Sequence, residues 1–105
     1  MIHVVYTAGP FRSRATPYNQ WEQWEHIHAS AAVSLEVWKL GAACISPHLN
    51  TAYFEGAAPA DTWLEGDLEL LRRCDAILMI GGWEYSVGAT AEHSFARKHQ
   101  IPVFY

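Results

Sequence analysis

Clustered positive charge is what this sequence has least of. Its 105 residues hold 7 Lys and Arg against 11 Asp and Glu, a net charge of −4, whereas binding a nucleic-acid backbone is driven by grouped cations. A polymer groove is therefore not expected, and any nucleotide ligand should be a monomer. Cysteine is also scarce. Cys44 and Cys74 are the two present; they fall on segments expected not to be adjacent, and neither has metal-ligand spacing, so reduced buried thiols are expected rather than a disulfide or a metal site. No apolar run approaches a membrane span, and the first residues lack the basic and apolar stretches of a signal peptide, which points to a cytosolic protein without a membrane partner. Repeats and low-complexity tracts are absent. So is a G-x-G-x-x-G after the first apolar segment, which disfavours a flavin or dinucleotide binder.

Half of the residues are hydrophobic, enough at this length for one core and a single domain over residues 1–105. The pattern alternates β-α-β-α-β-α-β. Residues 2–6 read as a buried strand that runs into Thr7-Ala8-Gly9-Pro10-Phe11-Arg12, a Gly-Pro turn followed by a cation. The spacing predicts a first helix over 20–40, with Trp21, Trp24, His28, Ala31, Leu35 and Trp38 on one face and Gly41 ending it. A second strand over 42–45 is followed by the loop Ser46-Pro47-His48-Leu49-Asn50-Thr51. The capping box Thr62-Trp63-Leu64-Glu65 predicts a second helix from Thr62 to about Arg73. A third strand over 76–80 leads through Gly81-Gly82-Trp83-Glu84-Tyr85 to a third helix, from Gly88 to about His99, and a last strand covers 102–105. The longest irregular stretch, 50–61, is the candidate for a mobile lid.

Ligands of open parallel sheets bind outside the carboxyl ends of the strands. Two segments should meet there: the turn after the first strand, and Ser86-Val87-Gly88-Ala89-Thr90-Ala91-Glu92. Free N–H groups and the helix dipole near Gly88 favour an anionic group such as phosphate, Ser86 adds a hydroxyl, and the same field is expected to keep Glu92 ionised. Such a carboxylate acts as a nucleophile or an electrostatic stabiliser. The plainer reading is a glycine cap with a glutamate placed to suit the dipole. Phe11 and Trp83 lie in crevice loops and are candidates to stack on a nucleobase, with packing an equal account of Trp83. His26 and His28 point to different faces and make no metal pair. His48 is expected to cap backbone groups rather than touch a ligand, His93 to sit at the surface or an interface, and Asp75 to be structural.

At these residues the sequence resembles the superfamily of nucleoside 2-deoxyribosyltransferases and 2′-deoxynucleoside 5′-monophosphate N-glycosidases. The glycosidase motif Y-x-x-G-x-x-R is matched by Tyr6, Gly9 and Arg12, an acidic D-L-x-x-L helix by Asp67-Leu68-Glu69-Leu70-Leu71, and S-x-G-x-x-x-E by Ser86, Gly88 and Glu92, in the family's order. The run from 82 to 92 is more similar still to a group of short, functionally uncharacterised proteins of phages and prophages in that superfamily. The resemblance implies that Glu92 attacks or stabilises the sugar C1′, that Asp67 assists the leaving base or orients the nucleophile, and that Tyr6 holds Glu92. Gly9, Arg12, Ser86 and Gly88 would cradle the ligand. Serine at 86, where transferases of free nucleosides usually carry aspartate, goes with a 5′-phosphate. The family also takes phosphate donors from a neighbouring subunit, beyond the fourth strand, whereas this sequence stops at Tyr105.

Together these features predict a Rossmann-like (flavodoxin-like) three-layer α/β sandwich with a four-stranded parallel sheet of order 2-1-3-4. It would act on the N-glycosidic bond of a (deoxy)nucleoside or its 5′-monophosphate, without metal or cofactor. The alternative is a non-catalytic nucleotide-binding or sensor module of the same fold. So much tryptophan on a small domain should leave apolar area outside, so a homodimer or larger assembly through the first or second helix is expected to close the crevice.

Overall fold

In the parallel sheet the strands are apolar along nearly their whole length, Thr7 apart, because helices cover both faces. The computed structural model describes residues 1–11, 19–54 and 56–105. The order is β1 (Val4–Ala8), α1 (Gln20–Lys39), β2 (Ala43–Ile45), α2 (Pro47–Asn50), α3 (Ala60–Arg72), β3 (Ala76–Met79), a 3-10 turn (Trp83–Tyr85), α4 (Val87–Lys98) and β4 (Val103–Phe104). All pairings are parallel and the sheet runs β2-β1-β3-β4, as the sequence predicts. Connections of a parallel sheet are right-handed. The step from β1 to β2 goes one way across the sheet and the steps to β3 and β4 go the other, so α1 covers one face and α3 and α4, which pack on each other, the opposite one.

Tyr6 lies mid-sheet, in register with Ile45 of β2 and Ile77 of β3. With Ala8, Leu71, Ile77, Met79, Ala89 and Ala96 it forms the core. Small Ala89 and Ala96 let α4 lie close to the strands. Asp75 is structural, as expected: its Oδ2 accepts from Val4 N at 2.7 Å and its own N–H donates to Val4 O at 2.8 Å, fastening the start of β1 to that of β3.

Several boundaries differ from the sequence reading. The first strand begins two residues later, at Val4: Ile2 and His3 are exposed, and His3 joins the pairing through its carbonyl, which accepts from Ala43 N at 2.9 Å. Residues 46–51 are not a loop: Ser46 caps and Pro47 starts the short helix α2, proline's fixed φ being suited to a first helical position. α3 begins at Ala60 after Pro59 and not at Thr62, whose N–H donates to Pro59 O at 2.9 Å, so the expected capping box does not form. Gly88 does not open α4. Ser86 is its cap, with Oγ accepting from Ala89 N at 3.2 Å, and Val87 is its first residue.

The aromatic stripe of α1 faces outward. Ser30, Ser34 and Val37 are the side chains that α1 buries, while Trp21 is 63% and Trp38 55% exposed. Trp24 is exposed too and stacks between Trp21 and His28. Ser30 Oγ and Ser46 Oγ hydrogen-bond at 2.8 Å, which joins α1 to α2. Among the described residues no helix is long and apolar enough to cross a membrane.

Candidate active site

The carboxyl ends of β1 and β3 open into a cavity of about 660 Å³, within the range of small-molecule sites. Gly9 is required at its base. A Cβ there would lie 2.7 Å from Ile80 Cβ, and the close approach lets Ile80 N donate to Ala8 O at 2.7 Å. Gly82, with φ of 89°, makes the matching turn after β3 and sits beneath Pro10.

Glu92 comes from the second turn of α4 and reaches the cavity while only 7% exposed. Beneath it the fully buried Tyr6 donates its hydroxyl to Glu92 Oε2. Burial pushes the Glu92 pKa up to about 8; the Tyr6 hydroxyl opposes this and the charge of Asp67 adds to it. The expectation that the helix field keeps Glu92 ionised is thus overturned. That field fades within the first turn, Glu92 lies past it, and desolvation wins. Tyr6 is held far above the ordinary phenol range, first by burial and then by the Glu92 charge, so it serves as a donor.

Asp67 enters from α3, half-buried on the same cavity, and burial raises its pKa to about 6. The structure therefore brings Tyr6, Asp67 and Glu92 into one electrostatic unit, with Gly9, Phe11, Ser86 and Gly88 on the cavity surface. At the start of α4 the Ser86 backbone carbonyl and hydroxyl already take the N–H groups of Thr90 and Ala89. Val87 and Gly88 N–H, in the first turn, point beyond the helix.

Two of the expected ligand contacts stand differently. Arg12 lies outside the described residues. Trp83 does not line the cavity: it packs on the core and stacks on His93 at 4.3 Å, and His93 in turn hydrogen-bonds Tyr105 OH at 2.9 Å. The 3-10 turn rotates Trp83 away and presents Tyr85 to the cavity instead.

The residues not singled out from sequence are Trp63, Asp61 and Tyr85, together with His26, set aside above as a metal ligand, all four on the cavity wall. Pro59 was the missed signal for Asp61 and Trp63, because a helix starting at Ala60 turns both inward. His48 is a backbone-bonding residue, as expected, though buried in α2 rather than in a loop. Its Nε2 lies 2.7 Å from Pro10 O, and burial lowers its pKa. Phe11 rests edge-on against it. Among the described residues no group of three His, Cys, Asp or Glu could hold a metal ion, and both cysteines are free, Cys74 buried and Cys44 half-buried.

Residues 3–105 match a family described as "Domain of unknown function (DUF4406)". Among solved structures, a 2-deoxyribosyltransferase from the psychrotolerant bacterium Bacillus psychrosaccharolyticus is similar, with a TM-score of 0.66 and 23% sequence identity. The match covers 95% of this chain and 69% of that one. At that identity the likeness concerns the fold. No curated protein matches the sequence.

Proposed function

Because the chain belongs to the DUF4406 family, whose description assigns no activity, function has to be read from the site, and we propose that the protein cleaves or transfers at the N-glycosidic bond of a nucleoside or nucleoside 5′-monophosphate. One observation carries this reading: a glutamate buried at the base of a nucleoside-sized cavity, held from below by a tyrosine hydroxyl, with a second carboxylate in its field. The likeness in fold to an enzyme named for deoxyribosyl transfer supports it.

With pKa values of about 6 for Asp67 and about 8 for Glu92, the pair shares one proton at neutral pH, mostly on Glu92. The reactive form has that proton on Asp67 and leaves Glu92 anionic. In the empty site, where burial weighs most against the Glu92 charge, it is the less populated form. Positive charge developing at C1′ stabilises an ionised Glu92 where a neutral substrate does not, so the interaction is worth most in the transition state. Glu92 then bonds to C1′ or stabilises the oxocarbenium ion, as carboxylates do in glycoside hydrolysis. No metal or cofactor enters this scheme.

The first-turn N–H groups of α4, with the Ser86 hydroxyl, are suited to a 5′-phosphate. A second copy of the chain covering the α1 stripe belongs to the same reading. The raised Glu92 pKa also favours a second one, a non-catalytic nucleotide-binding or sensor module, since the group is mostly protonated at pH 7.

Incubation with a panel of nucleosides and 5′-monophosphates, reading released base and ligand-induced melting shifts together, separates the two. Released base supports the enzyme, and a shift without base the binding module. Monophosphates should bind better than nucleosides. Ser86→Asp should reverse that order, because aspartate caps α4 as well as serine does but sets a charge against the phosphate; equal wild-type affinity for both ligands removes the phosphate assignment.

A further inference from the structure

Displacement at C1′ with Glu92 as nucleophile places the departing base on the far side of the sugar. Asp67 is not there. It comes from α3, packed on α4, and stands close enough to Glu92 to raise its pKa, on the nucleophile's side of the sheet. The opposite wall belongs to α1 and α2 and carries two imidazoles, His26 and His48.

Both rings hold the turn after β1. His48 Nε2 is 2.7 Å from Pro10 O and His26 Nδ1 is 3.1 Å from Phe11 O. A carbonyl only accepts, so these nitrogens carry the protons and the tautomers are fixed. The two remaining nitrogens differ. His48 Nδ1 is buried with no hydrogen-bond partner among the described residues, and with His48 only 5% exposed burial disfavours a proton gained there. His26 is half-buried on the cavity wall, with Nε2 3.9 Å from Glu22 Oε1, one helical turn earlier. A proton on His26 Nε2 would lie beside the Glu22 carboxylate.

We propose that His26, anchored through Nδ1 on the Phe11 carbonyl and backed by Glu22, is the general acid that protonates the departing nucleobase, and then the base that activates the water replacing it. The proposal rests on the glycosidic reading above. In the first step a Glu92 carboxylate oxygen bonds to C1′. The C1′–N bond breaks, its electron pair goes to the base, and the base takes the proton from His26 Nε2. In the second step water attacks C1′, the C1′–O bond to Glu92 breaks, and the water proton returns to Nε2. Nucleoside and water become free sugar and base, with His26 and Glu92 restored. Asp67 is left to hold the proton that Glu92 must shed.

The test is the dependence on leaving group, comparing a nucleoside that the wild type turns over with the p-nitrophenyl glycoside of the same sugar, whose phenolate leaves without a proton. His26→Asn keeps a donor for the Phe11 carbonyl and removes Nε2. It should lower kcat on the nucleoside by about a hundredfold or more, while p-nitrophenolate release stays within a few-fold, which also shows that the variant is folded. Glu22→Gln leaves the ring in place and should give a smaller loss of the same selectivity. Absence of a selective loss in both variants overturns the assignment of His26. A wild type that releases no base from any nucleoside overturns the glycosidic reading itself, and this step with it.

Discussion

Helices α4 and α1 both turn small or polar residues toward the sheet, and the consequences are opposite. α4 buries Ala89, Glu92 and Ala96, and its charged member meets Tyr6 below and a cavity above. α1 buries Ser30, Ser34 and Val37 and sends its tryptophans outward, where no described residue covers them. A carboxyl is costly to bury, so we read the one in α4, partnered below by Tyr6 and open above to the cavity, as part of a ligand site. An uncovered aromatic face marks a place suited to another protein surface. We therefore place the nucleophile and its partner carboxylate on the α3–α4 side, and propose assembly through the outward face of α1.

Removing the ionisable group of α4 is the hardest test of that division. Glu92→Gln keeps an acceptor for Tyr6 but cannot become anionic, and it should cut base release by about a thousandfold or more with ligand binding near normal. Wild-type turnover in this variant would end the assignment. The same variant has a signature in stability. The folded pKa of Glu92, about 8, lies above the ordinary glutamate value of 4.5, so the folded state keeps a proton that the unfolded chain releases between these values, and wild-type stability falls as pH rises through that window. Glutamine escapes the loss. The melting temperature of the variant should overtake that of the wild type between pH 6 and pH 9, by the equivalent of a few kcal/mol, on the order of the shift, and parallel melting curves across that range would contradict the burial account.

On the other helix the prediction concerns association. Buried tryptophans each contribute about 2 kcal/mol or more at interface centres, so Trp21→Ser with Trp38→Ser should weaken self-association about a thousandfold while far-ultraviolet dichroism is unchanged. Light scattering of the wild type at micromolar concentration should give at least a dimer. A wild-type monomer that still releases base would sever assembly from the site.

A smaller effect is expected beneath Glu92. Tyr6→Phe removes the hydroxyl and leaves a buried carboxyl short of a donor, a loss of about 1–3 kcal/mol. That hydrogen bond favours the ionised carboxylate, so without it the Glu92 pKa rises further and the pH at which activity appears should move up. An unchanged pH profile would mean that Tyr6 is only a packing residue.

The core strands were legible because a sheet covered on both faces needs continuous apolar strands, as in Val4-Val5-Tyr6 and Ala76-Ile77-Leu78-Met79, and their order was implied by the family resemblance together with right-handed crossovers. The meeting of Asp67 and Glu92 on one cavity, with Tyr6 beneath Glu92, was implied by the family resemblance. Other features depend on contacts between segments far apart in sequence. The α2 helix hangs on one Ser46-Pro47 step and packs under α1. The direction of Trp83 is set by His93 and Tyr105. The protonation of Glu92 follows from how completely β1 and α3 close over it, and no local pattern encodes that.

Gly88 gives the smallest effect and separates the fold's needs from the ligand's. It is the second residue of α4, its φ is not in the left-handed region, and a Cβ built on it would meet no atom of the described residues within 4 Å. Nothing among the described residues therefore requires glycine there, yet glycine in a helix is worse than alanine by about 1 kcal/mol or less. The empty space is the cavity itself. If a ligand approaches the α4 N-terminus closely, Gly88→Ala should raise thermal stability slightly and weaken ligand binding about tenfold, one added methyl group obstructing the Val87 and Gly88 N–H groups. A variant that is more stable and binds the same ligands unchanged would show that the ligand never comes down to this turn, and would move the phosphate site elsewhere on the wall.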